Sequence, residues 1–167
     1  MATRPFCLTD AGGQALLDTY FGSQTKENHK LILFTNTLGT TTGHTAMPVF
    51  SDKINAADLT ASTATGYAPI TLVQGNFTQT VPTGLTDPAR ITSTANTFNF
   101  TLGGAAIVGF AVIGVSSNTV IWTEGIWIDA DGNGVAEATT FTPTGTSSSL
   151  SITLILQLGT ATYDVII

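Results

Sequence analysis

The chain is poor in charge, in cations above all, and in cysteine. Only 10% of its 167 residues are charged, against about 25% in an ordinary soluble domain. Lys and Arg number five, scattered at Arg4, Lys26, Lys30, Lys53 and Arg90 under a formal net charge of −6. Phosphate backbones are bound by clustered cations, so no nucleic-acid partner is expected. Cys7 is the one cysteine, which rules out an internal disulfide and a thiolate metal cluster. Met1-Ala2-Thr3-Arg4-Pro5 holds no apolar segment, so no secretion signal is expected. No apolar run reaches the ~20 residues of a spanning helix. The longest, Ala105 to Val115, contains Gly109 and Gly114 and stops at Ser116-Ser117-Asn118. No membrane partner is expected.

What is abundant is threonine, roughly a fifth of the chain, and glycine, 17 residues. Threonine is β-branched and polar and suits the outer face of a strand. The composition predicts one all-β domain over residues 1–167, large enough for a single core. Solubility rests largely on surface charge. A surface this weakly charged therefore predicts that copies of the chain or other proteins cover much of it, as in a homo-oligomer.

The central feature is Ala105 to Ile128, read as two buried antiparallel strands joined at Ser116-Ser117-Asn118. Before it, one short N-terminal helix is expected between Thr9, a cap, and Gly22, a stop. Leu16, Leu17, Tyr20 and Phe21 give it one apolar stripe. Residues 1–22 thus form an N-terminal arm. Lys30 to Asn36 is the first clear strand. Leu38 to Ala64 is a long loop of the length that usually carries function or is ordered by contacts. Strands are predicted over Gly66–Leu72, Phe77–Val81 and Arg90–Thr94. Thr97–Leu102 alternates, with Phe98, Phe100 and Leu102 on one face. Ala138–Pro143, Leu150–Leu158 and Ala161–Ile167 complete the set. Eight to ten short strands with turns between them predict an antiparallel β-sandwich, Ig-like or jelly-roll.

The sharpest chemical motif is Asp129-Ala130-Asp131-Gly132-Asn133-Gly134-Val135-Ala136-Glu137. Oxygen side chains at positions one, three and five, glycine at six and an acid at nine match the first half of a calcium loop. Position twelve is Thr140 rather than a bidentate Glu, the flanks read as strands, and Asp-Gly and Asn-Gly also favour plain β-turns. Two readings stand: a Ca²⁺ site on Asp129, Asp131, Asn133 and Glu137, or a plain turn. No other cofactor is expected.

His29 and His44 lie in no zinc-ligand spacing. No Gly-x-Ser-x-Gly elbow is present. Glu124 with Glu137 or Asp129 would supply a glycosidase carboxylate pair, but nothing sets them across a cleft. Trp122, Trp127 and Tyr67 read as core packing or, alternatively, as a sugar-stacking face. No catalytic residue is assigned.

The order of segments resembles a known group. The carriers are Leu16-Leu17-Asp18-Thr19-Tyr20-Phe21, Leu31-Ile32-Leu33-Phe34-Thr35-Asn36, Thr65-Gly66-Tyr67-Ala68-Pro69-Ile70 and Thr97-Phe98-Asn99-Phe100. Ile107-Val108-Gly109-Phe110-Ala111-Val112, Val120-Ile121-Trp122-Thr123-Glu124 and the strand Leu150 to Leu158 continue it. Over about residues 8 to 158 the chain resembles small virion structural proteins of tailed bacteriophages, found among head decoration and tail or baseplate components. The motifs are structural and loose, and the Asp129–Gly134 turn is not among them. The resemblance implies a non-enzymatic capsid decoration or cement protein on the virion surface. Its partners would be the major capsid protein or other virion proteins, gripped by residues 1–22 and 38–64, and it would stabilise the capsid. The alternatives are a tail or baseplate component and, in a different class, a carbohydrate-binding module.

Overall fold

A computed structural model describes residues 7–8, 27–36, 56–80, 89–128, 137–145, 147–158 and 165–166. The strands are β1 (Cys7–Leu8), β2 (His29–Phe34), β3 (Ile70–Leu72), β4 (Phe77–Thr80), β5 (Ala89–Ser93) and β6 (Asn96–Phe100). They continue with β7 (Gly109–Gly114), β8 (Val120–Ile128), β9 (Glu137–Thr139), β10 (Ser148–Leu158) and β11 (Val165–Ile166). Short 3-10 turns cover Ala56–Asp58 and Gln74–Asn76. The expected N-terminal helix lies outside the described residues.

All pairings between strands are antiparallel. One sheet runs β1-β8-β7-β2-β3, with β9 also on β8; the other runs β11-β10-β5-β4, with β6 also on β10. The chain alternates between them in blocks: β1 to β3 in the first, β4 to β6 in the second, β7 to β9 back in the first, then β10 and β11. The sheets share one apolar core. Leu31, Leu33, Phe110, Val112 and Ile126 from the first meet Phe98, Phe100, Leu150, Ile152 and Leu154 from the second. Each such side chain contributes about 1.5–3 kcal/mol of burial. This is the β-sandwich that the alternating strands predict.

The two sheets differ in how they read. In β6 the burial alternates, Asn96, Phe98 and Phe100 in, Thr97 and Asn99 out. In β7 every residue is buried. The reason is a second cluster on the far face of the first sheet: Ile32, Phe34, Ala111, Ile113, Val120 and Leu59, with Ala56 and Val108 against it. A strand covered on both faces reads as an unbroken apolar run. The hydrophobic stretch from Ala105 is therefore central-strand sequence.

Leu59 belongs to the end of the long loop, and that end is laid along the sheet. Thr35 N–H donates to Thr60 O at 2.9 Å, Ser62 N–H donates to Leu33 O at 2.9 Å, and Phe34 bridges Ala61. The stretch extends β2's flank where β3 stops pairing.

Two single-residue irregularities re-aim side chains. Val112 pairs with Trp122 but Ile113 pairs with Val120, so Ile121 is an extra residue in β8. The β-bulge sends Val120 to the outer cluster and Trp122 to the inner one. Between β5 and β6, Thr92 pairs with Ile155 and Asn96 with Ile152, again one residue out of step.

Some predicted boundaries move. Only Ile70–Leu72 of the expected Gly66–Leu72 strand forms, because Gly66 sits in a turn at φ +91°. Its absent Cβ would meet Asn99 O and Thr101 N at 3.0 Å. Leu102 does not continue the Phe98–Phe100 face: β6 ends at Phe100, the backbone bends, and Leu102 is 54% exposed.

Candidate functional site

The polar residues of the sandwich concentrate at three places, each built on a backbone need. The first is the β7–β8 turn. Asn118 adopts φ 58°, and Gly114 N–H donates to Thr119 O at 2.9 Å to close the hairpin. The turn leaves the N–H groups of Ser116 and Ser117 pointing together. Both donate to Glu27 Oε2, at 2.7 and 3.0 Å, and the Ser117 hydroxyl donates to Oε1. Burial of the Glu27 carboxylate opposes ionisation. The Ser117 hydroxyl, the two N–H groups and nearby His29 outweigh it, holding Glu27 below the usual carboxylate range. Burial pushes His29 below the ordinary imidazole range, with Glu27 pulling the other way.

The second is the β5–β6 joint. Asn96, 4% exposed, donates through Nδ2 to Ser93 Oγ, Thr94 O and Ile152 O at 3.0 to 3.1 Å. Ser93 Oγ in turn accepts from Leu154 N–H at 2.9 Å. The out-of-step residue leaves backbone groups unmatched, and these two side chains match them.

The third is Tyr67. Its ring stacks on Phe98 with centroids 5.9 Å apart, and its hydroxyl accepts the N–H of Leu33 at 3.0 Å. Burial raises its phenol above the usual range, and the Leu33 bond opposes that. Tyr67 and Trp122 both pack against the inter-sheet core. That matches the packing reading of these aromatics, and Tyr67 has both ring and hydroxyl engaged within the fold.

Asp129, Asp131 and Asn133 lie outside the described residues. Glu137 opens β9 and pairs with Ile128, so the motif connects two antiparallel strands. Among the described residues no group of three or more His, Cys, Asp or Glu is placed to hold a metal ion. Glu124 sits in β8 opposite Phe110, 1% exposed, and its Oε1 accepts the Gly125 N–H at 2.8 Å. It belongs to the sandwich interior. His44 and the Ala46–Phe50 stretch of the long loop lie outside the described residues. Among the described residues no helix is long and apolar enough to cross a membrane.

The feature that remains exposed and regular is the outer face of the second sheet. Thr78, Thr97, Asn99, Ser149 and Ser151 are all exposed on it. Four of them stand in cross-strand register, Thr97 with Ser151 and Asn99 with Ser149, and the Thr97 and Ser151 hydroxyls bond at 2.7 Å. None carries charge. Threonine alternation predicts such a face. The Glu27 clamp and the Asn96–Ser93 joint had no sequence signal beyond polar residues near turns.

Comparison with known proteins gives no match: no family model fits the chain, and no curated protein or solved structure is significantly similar to it.

Proposed function

We propose that the chain is a non-enzymatic virion structural protein, a capsid decoration or cement protein seated on the major capsid lattice. The observation that carries this is an uncharged stretch of the outer face of the second sheet, Thr78, Thr97, Asn99, Ser149 and Ser151. Charged groups are costly to strip of water, whereas hydroxyls and amides are cheaper and bond in either sense. The centres of protein interfaces are accordingly depleted of charge. A rigid sandwich with such a face, in a chain only 10% charged, is suited to being covered by other proteins. The order of segments resembling small phage virion proteins supplies the shell as the partner.

In this role the segment Asp129 to Glu137, which connects β8 to β9, would hold Ca²⁺ or act as a plain turn. The test of the main reading is co-sedimentation with phage capsids that lack the protein. Saturable binding that is lost in Thr97→Lys and Ser151→Lys is expected. Protein left in the supernatant, or found on isolated tails, would overturn the decoration role, the second outcome in favour of a tail component.

A further inference from the structure

We infer that the leading half of β10 is a pairing edge at which two copies of this chain join their second sheets across a two-fold axis. β10 is the long strand of that sheet, Ser148–Leu158. On one flank β6 takes Ser148 to Ile152 and β5 takes Ile155 to Leu158. On the other flank, among the described residues, β11 takes only Thr153 and Leu154. Among those residues, Ser148 to Ile152 therefore has a strand on one side alone.

The direction of the free backbone groups follows from the joint. Ile152 O accepts from Asn96 and Leu154 N–H donates to Ser93, so even-numbered residues of β10 turn their backbone groups toward β5 and β6. In an antiparallel strand successive residues alternate. Ser149 and Ser151 then turn theirs to the open flank, as Thr153 does toward β11. Both serines are exposed.

Exposed edges are normally guarded by charge, proline or a bulge. The sequence here is Ser147-Ser148-Ser149-Leu150-Ser151-Ile152, with neither charge nor proline. It is also self-complementary. A two-fold axis at Ser149 sets Ser149 against its own counterpart, Ser147 against Ser151 and Ser148 against Leu150. The first two are pairs whose backbone groups face the flank, so each exchanges both ladder bonds. Hydroxyls then lie on the outer face and Leu150 on the core face, matching its burial at 6% exposure. The register stops short of β11. The Ser148 hydroxyl at the start of this edge is shut from solvent with no partner among the described residues. The joined sheets would bring the Thr97, Asn99, Ser149 and Ser151 stretches of the two copies into one continuous surface.

This deepens the assembly reading by naming a second copy as a partner, and it is tested separately from capsid binding. Light scattering of the purified protein should give twice the chain mass. Ser149→Pro with Ser151→Lys should halve that mass while the far-ultraviolet dichroism is unchanged, since Ser149 N–H turns away from β6. In a Cys7→Ser background, Ser149→Cys should cross-link on mild oxidation into a band of doubled mass, and Thr78→Cys on the same face should not. A wild-type monomer up to high concentration would overturn the pairing. So would a dimer that survives the edge variant, or equal cross-linking from both cysteines. A dimer that stays off capsids upholds the pairing and removes the shell role; a monomer that binds capsids does the reverse.

Discussion

Asn96 Nδ2 lies 3.1 Å from the carbonyl oxygen of Ile152, the residue its own backbone is paired with. A side chain is thus bonded into the ladder its main chain belongs to. It sits where β5 and β6 fall one residue out of step, and Ser93 completes the repair by accepting Leu154 N–H. Asn96→Ala strips three bonds from a buried site. The expected loss is about 2–3 kcal/mol, since buried polar groups left unpaired cost about 1–3 kcal/mol. Urea unfolding should show a lower midpoint at unchanged slope. Thr97→Ala, on the exposed face next door, should change stability by less than about 0.5 kcal/mol.

Tyr67 separates a stack from a hydrogen bond. Tyr67→Phe keeps the ring on Phe98 and removes the acceptor for Leu33 N–H. A loss of about 1–2 kcal/mol is expected, because the N–H lies where β3 no longer pairs with β2. Hydrogen exchange at Leu33 should accelerate more than at Leu31, whose strand partner is Ile70.

The Glu27 clamp makes stability depend on pH in a fixed sense. Glu27 is held below its ordinary value of 4.5, so the folded chain resists its protonation. Its contribution is present above that value and lost as pH falls through the folded one. His29 is likewise held below its ordinary 6.5, by burial, so its contribution is present above 6.5 and lost on acidification. The melting temperature should fall in two stages as pH drops. Glu27→Gln should flatten the lower stage and lower stability at neutral pH by about 1 kcal/mol, a charged hydrogen bond discounted for exposure.

Two glycines of β7 should respond differently to alanine. A Cβ at Gly109 would strike the Glu124 carbonyl and the Phe34 ring, both fixed in the sheet interior. Gly109→Ala should cost about 2–3 kcal/mol, the range of overpacking a dense core. At Gly114 the Cβ would meet the Glu27 carboxylate and the Ser117 hydroxyl. Those can swing aside, so thermal unfolding of Gly114→Ala should show a smaller loss, close to that of Glu27→Gln.

Local pattern is enough to define the class of fold. Alternation in Thr97–Phe100 and Leu150–Leu154 marks strands with one wet face, and the apolar run from Ala105 marks a strand covered on both. These signals are legible because side chains alternate across a strand with period two. The hairpin about Ser116-Ser117-Asn118 is legible for the same reason. Which strands pair is settled in three dimensions alone. The order β1-β8-β7-β2-β3 joins segments far apart in the chain, and periodicity carries no partner label. The one-residue slips at Ile121 and before Asn96 belong with the pairing, since a slip is defined only against a partner strand. Leu102 leaves its predicted face on that account: alternation continues in the sequence past the point where the β10 partner ends at Ser148, opposite Phe100. The roles of Glu27, Ser93 and Asn96 arise from the same source. Each side chain answers a backbone group distant in sequence, a need that exists only once the sheets have formed.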